Sequence, residues 1–107
     1  MTASFSDFQK LAIKVGRITA AEKIPNMKKI LKVQVDLGGR TAQAIAGGAE
    51  FYEPSSFVGK QVVVVTNMEP KLIAGVRSEV MLLAADLNGK PVWVTVSDEV
   101  PPGTIVR

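Results

Sequence analysis

The chain has 107 residues, enough for one domain with a real core but few enough that the buried fraction stays modest. It contains no cysteine and no histidine, which removes disulfides, thiolate nucleophiles, zinc–thiolate sites and the most common general base. The formal charge is only +3, but it is unevenly spread: Lys10, Lys14, Arg17, Lys23, Lys28, Lys29, Lys32 and Arg40 face only Glu22 and Asp36 between residues 10 and 40, a local +6 that leaves the remainder net acidic. Such clustering suits a surface that displaces counterions from a phosphate backbone, and it also suits a lysine-rich face kept for solubility.

In chain order, residues 1–7 show no basic segment followed by an apolar run, and no stretch reaches membrane-spanning length, so a cytoplasmic location is expected. Ser6 and Gln9 have capping-box spacing, predicting a short helix to about Leu11. Phe5, Phe8 and Leu11 would share one side of it, with core packing as the expected role and a second subunit as the alternative. Leu31, Val33, Val35 and Leu37 alternate with Lys32, Gln34 and Asp36, the period of a half-buried strand. Gly38-Gly39 then turns the chain into Arg40–Ala46, a hairpin that gathers Lys32, Gln34, Arg40 and Gln43 on one outer region if the register allows.

Gly47-Gly48 closes that strand, and residues 50–57 read as a helical turn or compact loop. Gly59-Lys60 lacks the upstream glycine and the following Ser or Thr of a phosphate loop, so nucleotide hydrolysis has no support there. The apolar runs Gln61–Thr66 and Val80–Leu83 flank a Pro- and Gly-punctuated loop that presents Asn67, Lys71, Arg77 and Ser78, which reads as a binding edge or as an ordinary solvated connection. Asn88-Gly89 signals a hairpin into Pro91–Val96. One domain over residues 1–107 is expected, all-β with short helices, as a five-stranded Greek-key barrel of OB type.

Glu50 with Glu53, and Asp98 with Glu99, are the acid pairs available for general acid–base or metal chemistry. They fall in loops without the glycine framework of a metal site, so solvated or capping roles are expected and no enzyme activity, cofactor or metal is assigned.

Several fragments, taken in order, carry a more specific signal. They are Ile13-Lys14-Val15-Gly16-Arg17-Ile18, Ile24-Pro25-Asn26-Met27-Lys28-Lys29-Ile30, Val35-Asp36-Leu37-Gly38, Val58-Gly59-Lys60, the Asn67–Ala85 run and Val100-Pro101-Pro102-Gly103-Thr104. This order resembles the tRNA-binding domain family of OB-folds: free-standing dimeric tRNA-binding proteins, C-terminal domains or β subunits of methionyl-tRNA synthetases, and CsaA-type export chaperones. The resemblance implies Lys29 and Lys71 as phosphate contacts, Asn67 and Ser78 as hydrogen-bonding groups for ribose or base edges, and Met81 as a surface for an unstacked base. The charge pattern adds Lys32, Arg40 and Arg77 to these candidates.

Each of the five has a plainer alternative: a solvated lysine, a strand-end cap for Ser78, an asparagine held within its loop, and core filler for Met81. Burial in the barrel or in a dimer seam is the expected role of Trp93. The resemblance implies structure-dependent, largely sequence-nonspecific tRNA binding, by a homodimer or a subunit associated with an aminoacyl-tRNA synthetase. Two positions depart from the tRNA-binding members, Ala46 where Ser precedes the glycine and Val80 where a glycine is common. Ser78-Glu79-Val80 resembles the CsaA-type chaperones instead, which leaves capture of unfolded polypeptide near Phe51, Tyr52, Met68 and Trp93 as the alternative.

Overall fold

The alternation on the second strand is realised as inward-facing Leu31, Val33 and Val35, all fully buried in a computed structural model that describes residues 1–107. The elements are α1 (Phe5–Gln9), β1 (Ile13–Lys23), β2 (Ile30–Asp36), β3 (Thr41–Gly47), α2 (Pro54–Phe57), β4 (Gln61–Val65), β5 (Lys71–Ile73), β6 (Val76–Ser78), β7 (Met81–Leu82), β8 (Ala84–Leu87), β9 (Lys90–Trp93) and β10 (Ile105–Val106). The main sheet runs β3-β2-β1-β4-β7, with β10 also paired to β1. Across the β2–β3 ladder Leu31 faces Ala46, Val33 faces Ala44 and Val35 faces Ala42. Each large side chain thus meets a small one, which fills a narrow barrel interior without overpacking.

β1 serves two partners. Its first half, Ile13–Arg17, pairs with β4, and Arg17–Lys23 pairs with β2, with a register shift between Ile18 and Ala20. Such a bulge bends a strand and lets it turn the corner of a closed sheet. Gly16 sits at the crossing, where a Cβ would collide with Val35 Cγ1. On β4 all of Val62–Val65 are buried: Val62 and Val64 face the main core with Ile18, Phe57 and Val80, while Val63 and Val65 pack with Ile13 under Leu83 and Val106. A continuous apolar run is the pattern of a strand covered on both faces.

The barrel closes without a regular ladder at its last seam. The Glu79 N–H donates to Gln43 O at 2.8 Å, the Gln43 N–H donates to Glu79 Oε1 at 2.9 Å, and the Ile45 N–H donates to Ser78 Oγ at 3.1 Å. Side chains thereby satisfy amides on the β3 edge that would otherwise lie unpaired. The result is a nearly closed five-stranded antiparallel barrel of OB type, with the short N-terminal helix and C-terminal strand extension.

Several details correct the sequence expectations. The capping box uses Ser4 and Asp7, not Ser6 and Gln9: Asp7 N–H donates to Ser4 Oγ at 3.2 Å and Ser4 N–H returns to Asp7 Oδ2 at 3.2 Å. Hydrogen bonds to the carboxyl from the Ser4 backbone N–H and then from its side chain hold Asp7 below its ordinary range. α1 ends at Gln9 and buries none of its residues, so Phe5, Phe8 and Leu11 do not join the core. The 67–80 connection is not an irregular loop; it contains the β5–β6 hairpin, turned by Ala74 and Gly75 at positive φ of 53° and 77°. The strand expected over Val80–Leu83 forms a regular ladder only at Met81–Leu82: Val80 turns into the core, and Leu83 keeps a single bond to β4, its N–H donating to Val63 O at 3.0 Å. The hairpin at Asn88-Gly89 forms as expected between β8 and β9.

Candidate nucleic-acid interface

The seam at Ser78 and Glu79 leaves a groove beside it. A slot of 320 Å³ is lined by Ile45, Gly47, Met68, Lys71, Ser78, Met81 and Trp93 among others, with Ala46 and Val80 in its floor. A second hollow of 580 Å³ shares Gly47, Ala84 and Pro91 with the first and extends to Lys29, Glu50, Phe51 and Asp86. The two adjoin at Gly47, Ala84 and Pro91 beside the end of β3, a channel of two parts with Lys71 in the lining of the first and Lys29 in that of the second. Its middle is apolar: Met68 and Met81 are each about 40% exposed, and Trp93 is stacked on Phe57 with ring centroids 4.8 Å apart. A planar or extended apolar group fits such a wall, with charged atoms left at the rims.

Three of the eight sequence candidates, Lys71, Ser78 and Met81, line the first slot, and Lys29 lines the second. Ser78 is already engaged, accepting from Ile45 N–H and donating to Val80 O at 3.3 Å. Asn67 is engaged more fully. Its Oδ1 accepts from Ala12 N–H at 2.8 Å and its Nδ2 donates to Lys10 O at 2.7 Å, so its amide ties the segment after α1 to the end of β4. Arg77 has an exposed side chain that lines neither hollow, and its carbonyl accepts from Gln43 Nε2 at 2.9 Å.

Lys32 lies on the outer face of β2 in an ion pair with Glu22 at 2.7 Å. Arg40 stands at the far end of β3 from the channel, in a separate notch with Lys14. The basic excess of residues 10–40 is thus partly neutralised within the fold: Lys10 pairs with Asp7, Arg17 with Glu99 and Lys32 with Glu22. Lys14, Lys23, Lys28, Lys29 and Arg40 are left outside any ion pair.

Sequence reasoning did not anticipate Gln43 and Glu79 as seam residues, nor Ile45 and Gly47 as channel wall. The sequence carries no signal for the first pair, because a glutamate that caps another strand's amide looks like any surface glutamate. The polypeptide candidates divide: Met68 and Trp93 line the first slot and Phe51 the second, while the Tyr52 hydroxyl donates to Pro91 O at 2.9 Å and its ring lies 5.5 Å under the Lys90 ammonium.

A small barrel of OB type with an apolar channel flanked by lysines is the architecture on which the family assignment rests. Residues 13–105 match the family described as "Putative tRNA binding domain", and the chain belongs to that family. It is 46% identical over 103 residues to a methionine–tRNA ligase of Archaeoglobus fulgidus and 40% identical over 103 residues to that of Thermotoga maritima. Each alignment spans 96% of this chain but only 16% of the ligase. Two solved structures match over the full length of this chain. A MetRS-related protein of Pyrococcus horikoshii shares 35% identity at a TM-score of 0.93 and is itself 99% covered; the chaperone CsaA of Bacillus anthracis shares 32% identity at 0.90 and is fully covered.

Proposed function

We propose that this domain binds structured tRNA without strong sequence specificity, acting as a non-catalytic, cytoplasmic homodimer or as the tRNA-binding unit beside a synthetase. The observation that carries the reading is the channel in which Lys71 and Met81 lie together and from which Lys29 is reached over Gly47. Lys29 and Lys71 contact phosphates at the two rims, and Met81 meets an unstacked base between them. Arg77 adds long-range attraction from the outer face of the β5–β6 hairpin, and Lys32 keeps Glu22 as its partner until phosphate displaces it. Ser78 and Asn67 act by holding the channel wall and the loop in place. Attachment to a catalytic partner raises the effective concentration of tRNA at that partner, which is how a small domain of modest affinity contributes to a larger enzyme.

Self-association rests on a second feature. Phe5 is 71% and Ile105 60% exposed, Phe8 and Leu11 are also open, and the Phe5 and Phe8 rings stack on each other 6.2 Å apart with nothing above them. A contiguous apolar patch of this kind on a small domain favours a second copy.

One observation favours a second reading. The first slot carries Glu69 and Glu79 against a single lysine, and its wall is mainly apolar, an environment suited to an extended polypeptide; Ala46 and Val80 add no polar atom to it. Competition decides between recognition of a tRNA fold and generic attraction. Unfractionated tRNA displaces a labelled tRNA more effectively than duplex DNA of equal charge under the tRNA reading; equal displacement reduces the function to polyanion binding.

A further inference from the structure

The second basic feature of this protein lies away from the channel. A notch of 250 Å³ opens between the β2–β3 turn and the paired ends of β1 and β4, lined by Lys14, Leu37, Gly39, Arg40 and Thr66. Its lining carries two cationic side chains. Lys14 and Arg40 belong to no ion pair, and the N–H groups of Gly39 and Arg40 donate to nothing within the chain. The Thr66 carbonyl is faced by Arg40 Nη2 at 3.5 Å, and the Thr66 hydroxyl donates to Ala12 O at 2.9 Å. No carboxylate lines the notch; Asp36, the acid of the same turn, caps the Gly38 N–H at 2.9 Å. In this the notch differs from both parts of the channel, where each lysine shares its walls with two acids, Glu69 and Glu79 or Glu50 and Asp86.

The notch is also held in shape. The Leu37 N–H donates to Arg40 O at 2.9 Å and closes the turn, and Pro102-Gly103 pack against Gly38 so closely that a side chain on either glycine would collide with the other segment's backbone. Gly103 N–H donates to Val15 O at 2.7 Å and Val15 N–H to Thr104 O at 2.9 Å, which fixes the strand beside Lys14 to the same strap. Two cations, Lys14 on β1 and Arg40 at the turn, beside two turn amides without partners are the chemistry of a phosphate site, because the amides are fixed dipoles and the cations are not already neutralised.

We propose that the Lys14–Gly39–Arg40 notch holds a phosphate group of the bound nucleic-acid backbone. It forms a second anchor roughly 16 Å from the channel wall, since the five steps from Arg40 along β3 to Ile45 rise about 3.3 Å each. A bound strand then spans β3 lengthwise over several nucleotides, with one phosphate at Arg40 and the unstacked base of a different nucleotide near Met81. This rests on the tRNA reading only for the identity of the strand.

Lys14→Ala and Arg40→Ala each lower the slope of log affinity against log salt for unfractionated tRNA by about one unit. A wild-type slope in both variants overturns the anchor. If the wild-type protein binds no tRNA, the functional reading fails instead, and the notch is decided separately by the amide resonances of Gly39 and Arg40. Under the proposal, dimethyl phosphate and inorganic phosphate both shift these two resonances saturably against a chloride control of equal ionic strength, and Lys14→Ala weakens the shift. No shift with either anion overturns the site. A shift with inorganic phosphate alone overturns its assignment to a phosphodiester and leaves a site for a free phosphate group.

Discussion

Glu79 and Gln43 exchange two hydrogen bonds across the last seam of the barrel, one from each backbone amide, and one of the two acceptors is the Glu79 side chain. The channel wall therefore depends on the same side chains that close the fold. Ser78 completes the seam two residues along β3, at Ile45. Ser78→Ala leaves the half-buried Ile45 amide without a partner, at a cost of about 1–3 kcal/mol. For a domain of this size that is a fall in Tm of several degrees, roughly 4–8 °C per kcal/mol, readable by thermal denaturation. tRNA affinity falls with it while the salt slope stays unchanged, because no phosphate contact is removed. An unchanged Tm with lost affinity would make Ser78 a direct contact.

Asn67 is predicted to act through the backbone it holds. Asn67→Ala frees both the Ala12 amide and the Lys10 carbonyl, so hydrogen exchange at Ala12 accelerates and the α1 segment loosens. Unaltered exchange at Ala12 would contradict this role.

The capping box makes α1 sensitive to acid. The Asp7 carboxyl is held below its ordinary range by hydrogen bonds from Ser4, so its folded pKa lies below an unfolded value of about 3.9. The stabilising contribution is present in full above the unfolded value and is lost as pH falls through the folded one. An NMR titration of Asp7 shows the depressed value, and Ser4→Ala moves it upward. A titration that Ser4→Ala leaves in place would assign the depression to another cause.

The barrel class, the β2–β3 hairpin and the β8–β9 turn were legible because each rests on local rules: period-two alternation, and glycines or Asn-Gly where positive φ is required. The β5–β6 hairpin was hidden by its turn, Ala74-Gly75, in which an alanine takes a conformation that favours glycine or asparagine. The capping box was displaced by two residues because Ser4 and Ser6 both have a polar residue three positions on, and only geometry separates Asp7 from Gln9. Of the candidate site, Lys29, Lys71, Ser78 and Met81 were named from the family resemblance, and the fold puts all four in the walls of the channel. Lys14 had no signal beyond its charge, since its notch is assembled from three distant segments, and nothing in the sequence records that Glu22, Asp7 and Glu99 neutralise neighbouring cations.

The exposed patch on α1 and β10 predicts association through Phe5, Phe8, Leu11 and Ile105. Sedimentation equilibrium at micromolar concentration shows a dimer of the 11.4 kDa chain, and Phe5→Asp with Ile105→Asp shifts it to monomer without unfolding, because neither residue is in the core. An 11.4 kDa species in the unmodified protein would remove the dimer.

Lys29 and Lys71 mark the two rims of the channel, and each should carry about one phosphate. Lys29→Ala and Lys71→Ala are expected to weaken tRNA binding and to lower the salt slope by about one unit apiece, additively, since the two residues lie in separate parts of the channel. A wild-type slope for either variant reduces that lysine to a solvated charge.

The measurement that bears most directly on the central claim is a salt titration of the unmodified protein against unfractionated tRNA and against an unfolded polypeptide in parallel. Phosphate binding weakens steeply with salt, whereas apolar capture persists or strengthens. Affinity for tRNA is predicted to exceed that for the polypeptide at moderate salt and to fall by orders of magnitude between low and moderate salt. Salt-resistant binding of the polypeptide with no measurable affinity for tRNA would contradict the account and give the channel to extended peptide.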